Sequence, residues 1–341
     1  MVIQLEPGLL INMFVDFVGN AKTMFNFRTD GKTLDVQMLG DYTATKSFAV
    51  TSIDGDTKET DISVWVNKFI HVMNKDEYIR ITINDAAMFI EQNTFNCTLL
   101  REYEARRELP DINGVELTHA FPGRLKYLAH AGVTAIPLAK ELSIPDPDPV
   151  FANNKFYMNY RQTAYIDSMK YPEMCIPFST FRDFVFKMDD KATYAYLQEL
   201  NTVFYRTKDY DFYVPTTNYN ISNSILIAFD KKLSECSPIT KIVIKPYKEK
   251  LLTVSSAFPK QKLTLVVGTG TFAVSADTNN SHMQVGYEMK DMLLSTEITS
   301  AQLTVITRLF GEDDEVIVKR GVGCICLNTG EKNLLIAGMI Y

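Results

Sequence analysis

The sequence predicts an α+β protein built from three similar domains, each made of two helix-plus-strands units. The first observation is a repeated pattern of a short strand, a small polar residue and an apolar helix of about three turns, in residues 62–73, 176–188 and 298–309. The second is the spacing of this pattern, because Phe69, Phe184 and Val305 align at intervals of 115 and 121 residues. The third is that a β-rich run follows each helix. Such self-similarity predicts copies of one structural unit.

Each predicted domain also has a helix upstream of its repeated segment. Within the repeated segments, Ser63, Ser179 and either Thr299 or Ser300 supply the small polar side chains that favour a helix start. The upstream helices are predicted at residues 9–22, 121–142 and 222–233. Extended segments containing Pro110 and Pro215 separate the units, since proline interrupts regular structure. The predicted domains are therefore residues 1–109, 110–215 and 216–341.

Alternating apolar residues and turn residues predict the strands. Residues 78–83 alternate Ile79, Ile81 and Ile83 with polar neighbours, which is typical of a half-buried strand. Asp30-Gly31 and Asn153-Asn154 are turn signals between strands. The full set of predicted strand segments is 23–29, 34–39, 42–53, 78–83, 150–152, 155–168, 192–214, 241–246, 251–257, 263–267, 271–276 and 316–341.

Length and composition exclude several classes of protein. The 341 residues are 46% hydrophobic and 22% charged, which is ordinary for a globular protein and excludes a disordered or collagen-like chain. No run of about 18 apolar residues predicts a membrane span, and the first residues lack the basic flank and apolar core of a signal peptide. Five cysteines, an odd number, fit free thiols in a reducing compartment. The expected location is the cytoplasm.

The distribution of charge predicts a basic helical surface on an acidic protein. The net charge is −6, and the predicted helices carry +7 of it, which leaves −13 on the remainder. If the helices share one face, that face attracts phosphates without reading bases, and binding weakens as salt rises. The alternative is that these cations are the solvated faces of amphipathic helices. The candidate DNA-binding residues are Lys22, Lys68, His71, Lys75, Arg124, Lys126, Arg182, Lys187, Lys231, Lys232 and Arg308.

Several segments resemble the DNA sliding clamps, and specifically the three-domain β subunit of bacterial DNA polymerase III in a bacteriophage version. Asp209–Pro215 of this sequence is similar to the family's Asp-Tyr-Arg-Arg-Val-Leu-Pro linker between its second and third domains. Residues 159–164 stand in the place of the family's Asp-Gly-His-Arg-Leu-Ala strand. The apolar terminus 334–341 stands where bacterial clamps end in a strand and Met-Pro-Met-Arg-Leu, and Leu109-Pro110-Asp111 closes a first clamp domain.

The resemblance implies a ring and a role in DNA replication. Three domains in each chain imply a head-to-tail homodimer, with helices lining the hole and sheets on the outside. Such a ring encircles double-stranded DNA without regard to sequence, and tethers the replicative polymerase as a processivity factor. Head-to-tail contacts are heterologous and must close after a fixed rotation. The implied protein is not an enzyme.

The resemblance also implies a pocket for a short apolar peptide of the DNA polymerase and the clamp loader. The residues carried over are Tyr160, Arg161, Gln162, Thr163, Phe212, Tyr213, Leu335, Ala337, Gly338 and Met339. Thr163 replaces the family's leucine, Tyr160 its glycine and Phe212 its linker arginine, while Ala337-Gly338-Met339 replaces Met-Pro-Met. These departures predict a different partner peptide.

Motifs of catalysis, metal binding and cofactor binding do not stand out. The histidines at 71, 119, 130 and 282 lack the spacing of zinc ligands, and Cys324-x-Cys326 has no second cysteine pair. No phosphate-binding glycine loop and no nucleophile elbow occurs. No catalytic residue, metal or cofactor is therefore expected. Two alternatives remain open, a virion structural or assembly protein of β-rich repeats and an unfamiliar β-rich hydrolase.

Overall fold

The chain divides into two compact units. The computed structural model describes residues 1–19, 22–54, 59–217, 223–259, 261–278, 281–287 and 291–338. Unit 1 comprises Met1–Gly123 and Asp183–Pro215, and unit 2 comprises Arg124–Arg182 and Thr216–Tyr341. The predicted middle domain, residues 110–215, therefore contributes to both units, and the division into three domains stays a prediction.

Strands make up most of the regular structure. In chain order they are β1 (Val2–Leu5), β2 (Thr23–Thr29), β3 (Thr33–Leu39), β4 (Thr43–Ala49), β5 (Ser52–Asp54), β6 (Thr60–Val66), β7 (Ile79–Ile83), β8 (Ala87–Glu91), β9 (Asn96–Glu102), β10 (Thr118–His119), β11 (Val150–Ala152), β12 (Lys155–Tyr160), β13 (Thr163–Ser168), β14 (Met174–Cys175), β15 (Thr193–Leu197), β16 (Thr202–Arg206), β17 (Asp211–Pro215), β18 (Ser237–Ile242), β19 (Lys262–Gly268), β20 (Thr271–Thr278), β21 (Ser281–Gly286), β22 (Leu294–Thr299), β23 (Val316–Gly321), β24 (Cys324–Thr329) and β25 (Lys332–Ala337).

In the described residues the helices are fewer than the strands, but the α-helices are longer. The α-helices are α1 (Leu9–Phe17), α2 (Pro122–Glu141), α3 (Phe178–Val185), α4 (Asn223–Glu235), α5 (Lys248–Ala257) and α6 (Ser300–Phe310), with 3-10 helices at Lys68–Val72, Gln198–Leu200 and Lys245–Tyr247. Thr299 caps α6 in a capping box with Gln302, as its small polar side chain predicts. Helices and strands together confirm the predicted α+β class.

Each sheet lies within one unit. Unit 1 contains a thirteen-stranded sheet in the order β10-β15-β16-β17-β4-β3-β2-β6-β9-β8-β7-β1-β5. Unit 2 contains an eight-stranded sheet, β14-β11-β12-β13-β25-β24-β23-β18, and a four-stranded sheet, β21-β20-β19-β22. Distant strands meet in both units, because Phe212 of β17 pairs with Ala44 of β4, and Ala164 of β13 pairs with Leu335 of β25. The predicted turn at residues 328–331 joins β24 and β25 as a hairpin.

Four predicted elements differ from the structure. The strand predicted at 241–246 ends at Ile242, and Lys245–Tyr247 is a 3-10 helix. The helix predicted within the first repeated segment, 62–73, is only the 3-10 helix Lys68–Val72, because Ile62, Val64 and Val66 bury one face of β6 and keep the chain extended through Trp65. The helix predicted at 9–22 ends at Phe17. Residues 251–257, predicted as a strand, belong to α5.

The buried positions explain why 251–257 is helical. Leu251, Val254 and Ser255 are buried, at the i, i+3, i+4 spacing of one helix face, and α5 packs against α6. In unit 1, α1 packs against the 3-10 helix Lys68–Val72. In unit 2, Gly132 lets α2 approach the ring of Phe178 at the start of α3, since a Cβ at this glycine would lie 2.4 Å from the ring. In unit 2, the helix that packs against α6 is therefore α5.

The eight-stranded sheet has two faces with different covers. One side of the sheet, which we call the aromatic face, carries Phe151, Phe156, Met158, Thr163, Tyr165, Asp167 and Ile336. Here Phe156 lies 6.1 Å from Phe181 of α3 between ring centroids, Asp167 binds Arg124 of α2, and Thr163 accepts a hydrogen bond of 2.9 Å from Gln302 of α6. The aromatic face is therefore covered by α2, α3 and α6.

The opposite side of the same sheet is covered by α4. Alternation along the strands turns Tyr157, Ala164, Ile166, Cys324, Cys326 and Leu335 to this side, which we call the cysteine face. These six residues belong to one buried cluster with Val150, Cys175, Cys236 and Leu226 of α4, and Phe229 and Leu233 of α4 pack against it. In unit 2, α4 thus lies on the other side of the sheet from α2, α3 and α6.

Candidate functional site

In unit 1, the basic candidates gather around the 3-10 helix. Lys68 and His71 lie on Lys68–Val72 with exposed side chains, and exposed Lys75 follows it. Lys22 lies just before β2 and places its ammonium 4.5 Å from the centre of the Trp65 ring. Lys22, Lys68 and Lys75 therefore offer three accessible cations in unit 1, and exposed His71 lies on the same 3-10 helix as Lys68.

In unit 2, three candidates lie on the helices that cover the aromatic face. Arg182 of α3 and Arg308 of α6 are exposed, and Lys126 of α2 is half-buried. Within the described residues, no ion pair engages any of the three. Because their charges are not neutralised by a carboxylate, these residues can attract a polyanion such as a nucleic-acid backbone.

Two other candidates are neutralised by carboxylates. Arg124 binds the fully buried carboxylate of Asp167 and, at 2.8 Å, that of Glu331. Lys187 binds Asp183 at 2.5 Å and lies 5.3 Å from the centre of the Phe17 ring. Burial raises the pKa of Asp167, while the Tyr165 hydroxyl and Arg124 act in the opposite direction. Arg124 therefore holds an internal carboxylate in place, which competes with a contact to phosphate.

The assignment of Lys231 and Lys232 to the same helical layer is corrected by the structure. Both residues lie on α4, which covers the cysteine face, whereas Lys126, Arg182 and Arg308 lie on helices that cover the aromatic face. Lys231 also approaches Glu235 at 3.8 Å along its own helix. The helix that belongs beside α6 is α5, and it contributes exposed Lys250, which sequence reasoning missed. The buried spacing of Leu251 and Val254 was the available signal.

The predicted peptide-binding residues divide between the two faces of the eight-stranded sheet. Tyr160 and Thr163 are buried on the aromatic face, and Leu335 is buried on the cysteine face. One surface pocket cannot use side chains from both faces, because successive strand residues point to opposite sides. The inclusion of Thr163 and Tyr160 in such a pocket is therefore corrected, and Ala164 is the residue that shares a face with Leu335.

The remaining predicted residues have different surroundings. Arg161 and Gln162 form the exposed turn between β12 and β13, and Arg161 has a positive φ of 60°. Ala337 is half-buried and Gly338 is exposed, whereas Met339 lies outside the described residues. In unit 1, Phe212 is buried and Tyr213 is half-buried on β17.

Three exposed segments converge at one end of the eight-stranded sheet. The amide of Ala337 donates to the carbonyl of Gln162 at 2.7 Å, and the amide of Gly338 donates to the carbonyl of Gly323 at 3.1 Å. Gly323 belongs to the tight turn between β23 and β24, whose other residue, Val322, is 89% exposed. A single exposed apolar residue is common on protein surfaces, so Val322 is a candidate contact because its turn adjoins the segments at Gln162 and Ala337. Sequence reasoning missed Val322, although Gly321-Val322-Gly323 between two strands was a signal.

Within the described ranges, no three histidine, cysteine, aspartate or glutamate side chains lie close enough together to hold a metal ion. No helix in the same residues has the length and apolar character needed to span a bilayer.

The fold described above is that of the bacterial DNA sliding clamps over the whole chain. A *Pseudomonas aeruginosa* DNA polymerase III subunit beta matches with a TM-score of 0.76 and 8% identity, covering 99% of both chains. The Helicobacter pylori beta clamp bound to a DNA ligase peptide matches with a TM-score of 0.69 and 11% sequence identity. The Streptococcus pneumoniae DNA polymerase III beta chain matches with a TM-score of 0.72 and 10% identity. Both matches cover 99% of this chain and 100% of the other. No protein-family model and no curated protein sequence matches.

Proposed function

We propose that this protein is a DNA sliding clamp, a processivity factor that encircles duplex DNA and tethers a replicative polymerase without itself catalysing a reaction. The observation that carries the proposal is the agreement in fold with beta clamps over 99% of this chain at TM-scores up to 0.76. Similarity confined to one domain would leave many functions open, since a single fold hosts unrelated activities. Agreement over the full length supports the function of the whole assembly.

The charge distribution supports a sequence-independent contact with DNA. Lys126, Arg182 and Arg308 in unit 2 and Lys68 in unit 1 offer cations on helical segments, and Lys75 follows the 3-10 helix, in a chain whose net charge is −6. Cations on helices hold phosphates without reading bases. A ring that is topologically closed needs only weak contacts of this kind, so that it can slide.

The proposed assembly is a head-to-tail homodimer of three-domain chains. Such an interface joins two different patches, and each unit offers an open strand edge. In unit 1, β9 pairs with β8 through residues 96–100 and with β6 only at Arg101 and Glu102; in unit 2, β21 is the edge of its sheet. Leu100 of β9 and Met283 of β21 are exposed apolar side chains on these edges, and pairing would cover both.

The proposed partners are the polymerase and its clamp loader, bound through a short apolar peptide. The *H. pylori* beta clamp is seen with a DNA ligase peptide. In this chain, the converging segments at Gln162, Val322 and Ala337 are the favoured place for such a peptide. The proposed setting is the cytoplasm of a bacterium that carries a bacteriophage, where the clamp should be absent from purified virions; its abundant presence in virions would favour the structural alternative.

The central experiment compares retention on circular and linear DNA. The purified protein is loaded on a nicked circular plasmid, and half of the sample is linearised before gel filtration. A clamp stays on the circle and slides off the linear ends, so retention should fall severalfold on linearisation. Equal retention on both would overturn the proposal.

Two further measurements test the assembly and the partner surface. The mass in solution should be twice the 38.7 kDa of one chain, and Leu100→Asp should halve it. Val322→Ser, at an 89% exposed position, should lower polymerase stimulation and leave that mass unchanged. A Leu100→Asp protein that stays dimeric would exclude the β9 edge, and full stimulation by Val322→Ser would exclude the turn.

A further inference from the structure

The helix α4 is attached to the eight-stranded sheet by a narrow apolar stripe. Leu226 is buried, whereas Phe229 and Leu233, one turn and two turns further on, are only partly buried against the cysteine face. The neighbouring Ile225 and Ile227 are 41% and 60% exposed. A helix of 13 residues is marginal in isolation and depends on its packing. Few contacts therefore hold α4 in its helical form.

One polar cluster fixes α4 in register on the sheet. Asp230 accepts a hydrogen bond of 2.7 Å from Lys155, and the Tyr157 hydroxyl lies 3.0 Å from both Asp230 carboxylate oxygens. The side chains of Lys155 and Asp230 are 31% and 28% exposed, so water reaches this ion pair. We call these three residues the Asp230 latch.

The surface beneath α4 continues toward the proposed partner site. Leu335 lies in the cluster under α4, and Ala337, two residues further along β25, points to the same side and is half-buried. Ala337 in turn adjoins Gln162, and Gly338 adjoins the Val322 turn. The apolar strip thus starts under the helix and reaches the end of the sheet, where Gly338 is exposed.

We propose that α4 is a lid that opens as a unit, and that an apolar partner peptide and the lid compete for the strip from Leu335 to Ala337. This inference rests on the proposed function for the identity of the peptide, and on unit 2 alone for the motion. Opening breaks the Asp230 latch and exposes apolar surface that the peptide then covers. Local opening of a lightly packed element costs less than global unfolding, which makes such competition feasible.

The cysteines provide a direct reporter of lid opening. Cys175, Cys236, Cys324 and Cys326 lie in the cluster beneath α4, whereas Cys97 lies on β9 of unit 1. Burial raises the pKa of Cys236 and of Cys326 to about 12, so that these thiols are unreactive while the lid is closed. Alkylation of these residues therefore measures the open fraction.

The experiment is pulsed alkylation with N-ethylmaleimide, read residue by residue by mass spectrometry, on the full-length protein. Asp230→Asn weakens the latch and should raise labelling of Cys236, Cys324 and Cys326 by about three- to tenfold, with Cys97 unchanged. The matched control is Asp314→Asn, which removes the exposed Lys245–Asp314 ion pair of the same unit and should change nothing. Equal labelling of the wild type and Asp230→Asn would contradict the proposal that α4 opens as a lid.

A second arm tests the competition with a DNA ligase peptide of the kind bound to the *H. pylori* clamp. The peptide should bind Asp230→Asn more tightly than wild type by the factor seen in labelling, and once bound it should protect Cys324 and Cys326, which pair with Ala337 and Leu335. Exposed thiols without tighter binding would overturn the competition. Thiol labelling needs no DNA. If labelling shows that α4 opens but the protein is not retained on circular DNA, only the proposed clamp function is refuted.

Discussion

The aromatic face and the cysteine face belong to the same eight strands but are covered in different ways. On the aromatic face, three helices contribute large rings and a polar network that links Arg124, Asp167 and Tyr165. On the cysteine face, a single helix lies over alanine, isoleucine and cysteine side chains with one partly exposed ion pair. Side chains alternate along a strand, so that both faces of this sheet carry apolar residues. The comparison teaches that the size of those residues decides how tightly a helix packs on each face.

The largest expected effect comes from removing a ring on the aromatic face. Phe156 is fully buried between Phe151, at 5.3 Å, and Phe181, at 6.1 Å. Phe156→Ala should lower the free energy of unfolding by about 3–5 kcal/mol, because the truncated ring leaves a cavity. Cys326→Ala on the cysteine face removes one atom and should cost about 1 kcal/mol. Urea denaturation of both variants tests the comparison, and similar losses would contradict it.

The second largest expected effect on stability concerns Asp167, the buried carboxylate of the aromatic face. Arg124→Met leaves Asp167 ionised without its cation and should lower the free energy of unfolding by about 2–3 kcal/mol at pH 7, since Arg124 is partly exposed. A control is Lys241→Met, which breaks an exposed pair with Glu315 and should cost less than about 1 kcal/mol.

The pH dependence of Arg124→Met follows from the raised pKa of Asp167. Burial raises this pKa in the folded protein, and loss of the guanidinium raises it further. An acid whose pKa is higher in the folded state favours folding below its unfolded value and loses that contribution as pH rises through the folded value. The deficit of Arg124→Met relative to wild type should therefore shrink as pH falls from 7 toward 4. A deficit that grows on acidification would show that Asp167 is not the group responsible.

A third and smaller effect tests the packing of the cysteine face. A Cβ at Gly321 would lie 2.8 Å from the sulfur atoms of both Cys236 and Cys324. Gly321→Ala should therefore overpack this region and cost about 1–2 kcal/mol. Because thiols are small, adding Cys324→Ala should recover part of that loss, which thermal unfolding of the double variant would detect. No recovery would mean that the added methyl is resisted by the backbone instead.

Many strands were predictable from the sequence, although β1, β8, β9 and β21 fall outside the predicted segments and 251–257 is helical. The sides of the sheet to which the helices attach were not predictable. The alternation of Ile79, Ile81 and Ile83 correctly predicts β7, because period-two burial is a local signal. The spacing of Leu251 and Val254 also marks a helix, yet a run of apolar and β-branched residues in 251–254 resembles a buried strand. Only tertiary contacts decide that α4 covers the cysteine face while α6 covers the aromatic face.

The candidate peptide site was likewise predictable only in part. The residues at the turn of β12 and β13 were predictable from their resemblance to a clamp strand, but the resemblance did not fix the register. A displacement of one position moves a side chain to the opposite face, as Thr163 and Ala164 demonstrate. Val322 was missed because its neighbours in space, Ala337 and Gly338, are distant in sequence.

The smallest expected effect on stability separates the two faces by function. Lys126, Arg182 and Arg308 lie on helices of the aromatic face, and Lys231 and Lys232 lie on α4 of the cysteine face. Alanine at either set should change the free energy of unfolding by less than about 0.5 kcal/mol for each exposed residue. DNA binding should nevertheless differ: the triple variant should reduce the slope of log affinity against log salt by about 0.9 for each lost phosphate contact, and the α4 pair should leave it unchanged. The measurement is fluorescence anisotropy with a short duplex at several salt concentrations. If removal of Lys231 and Lys232 lowers the slope as much as the triple variant does, then DNA contacts the α4 side, and the lid cannot be reserved for a peptide partner.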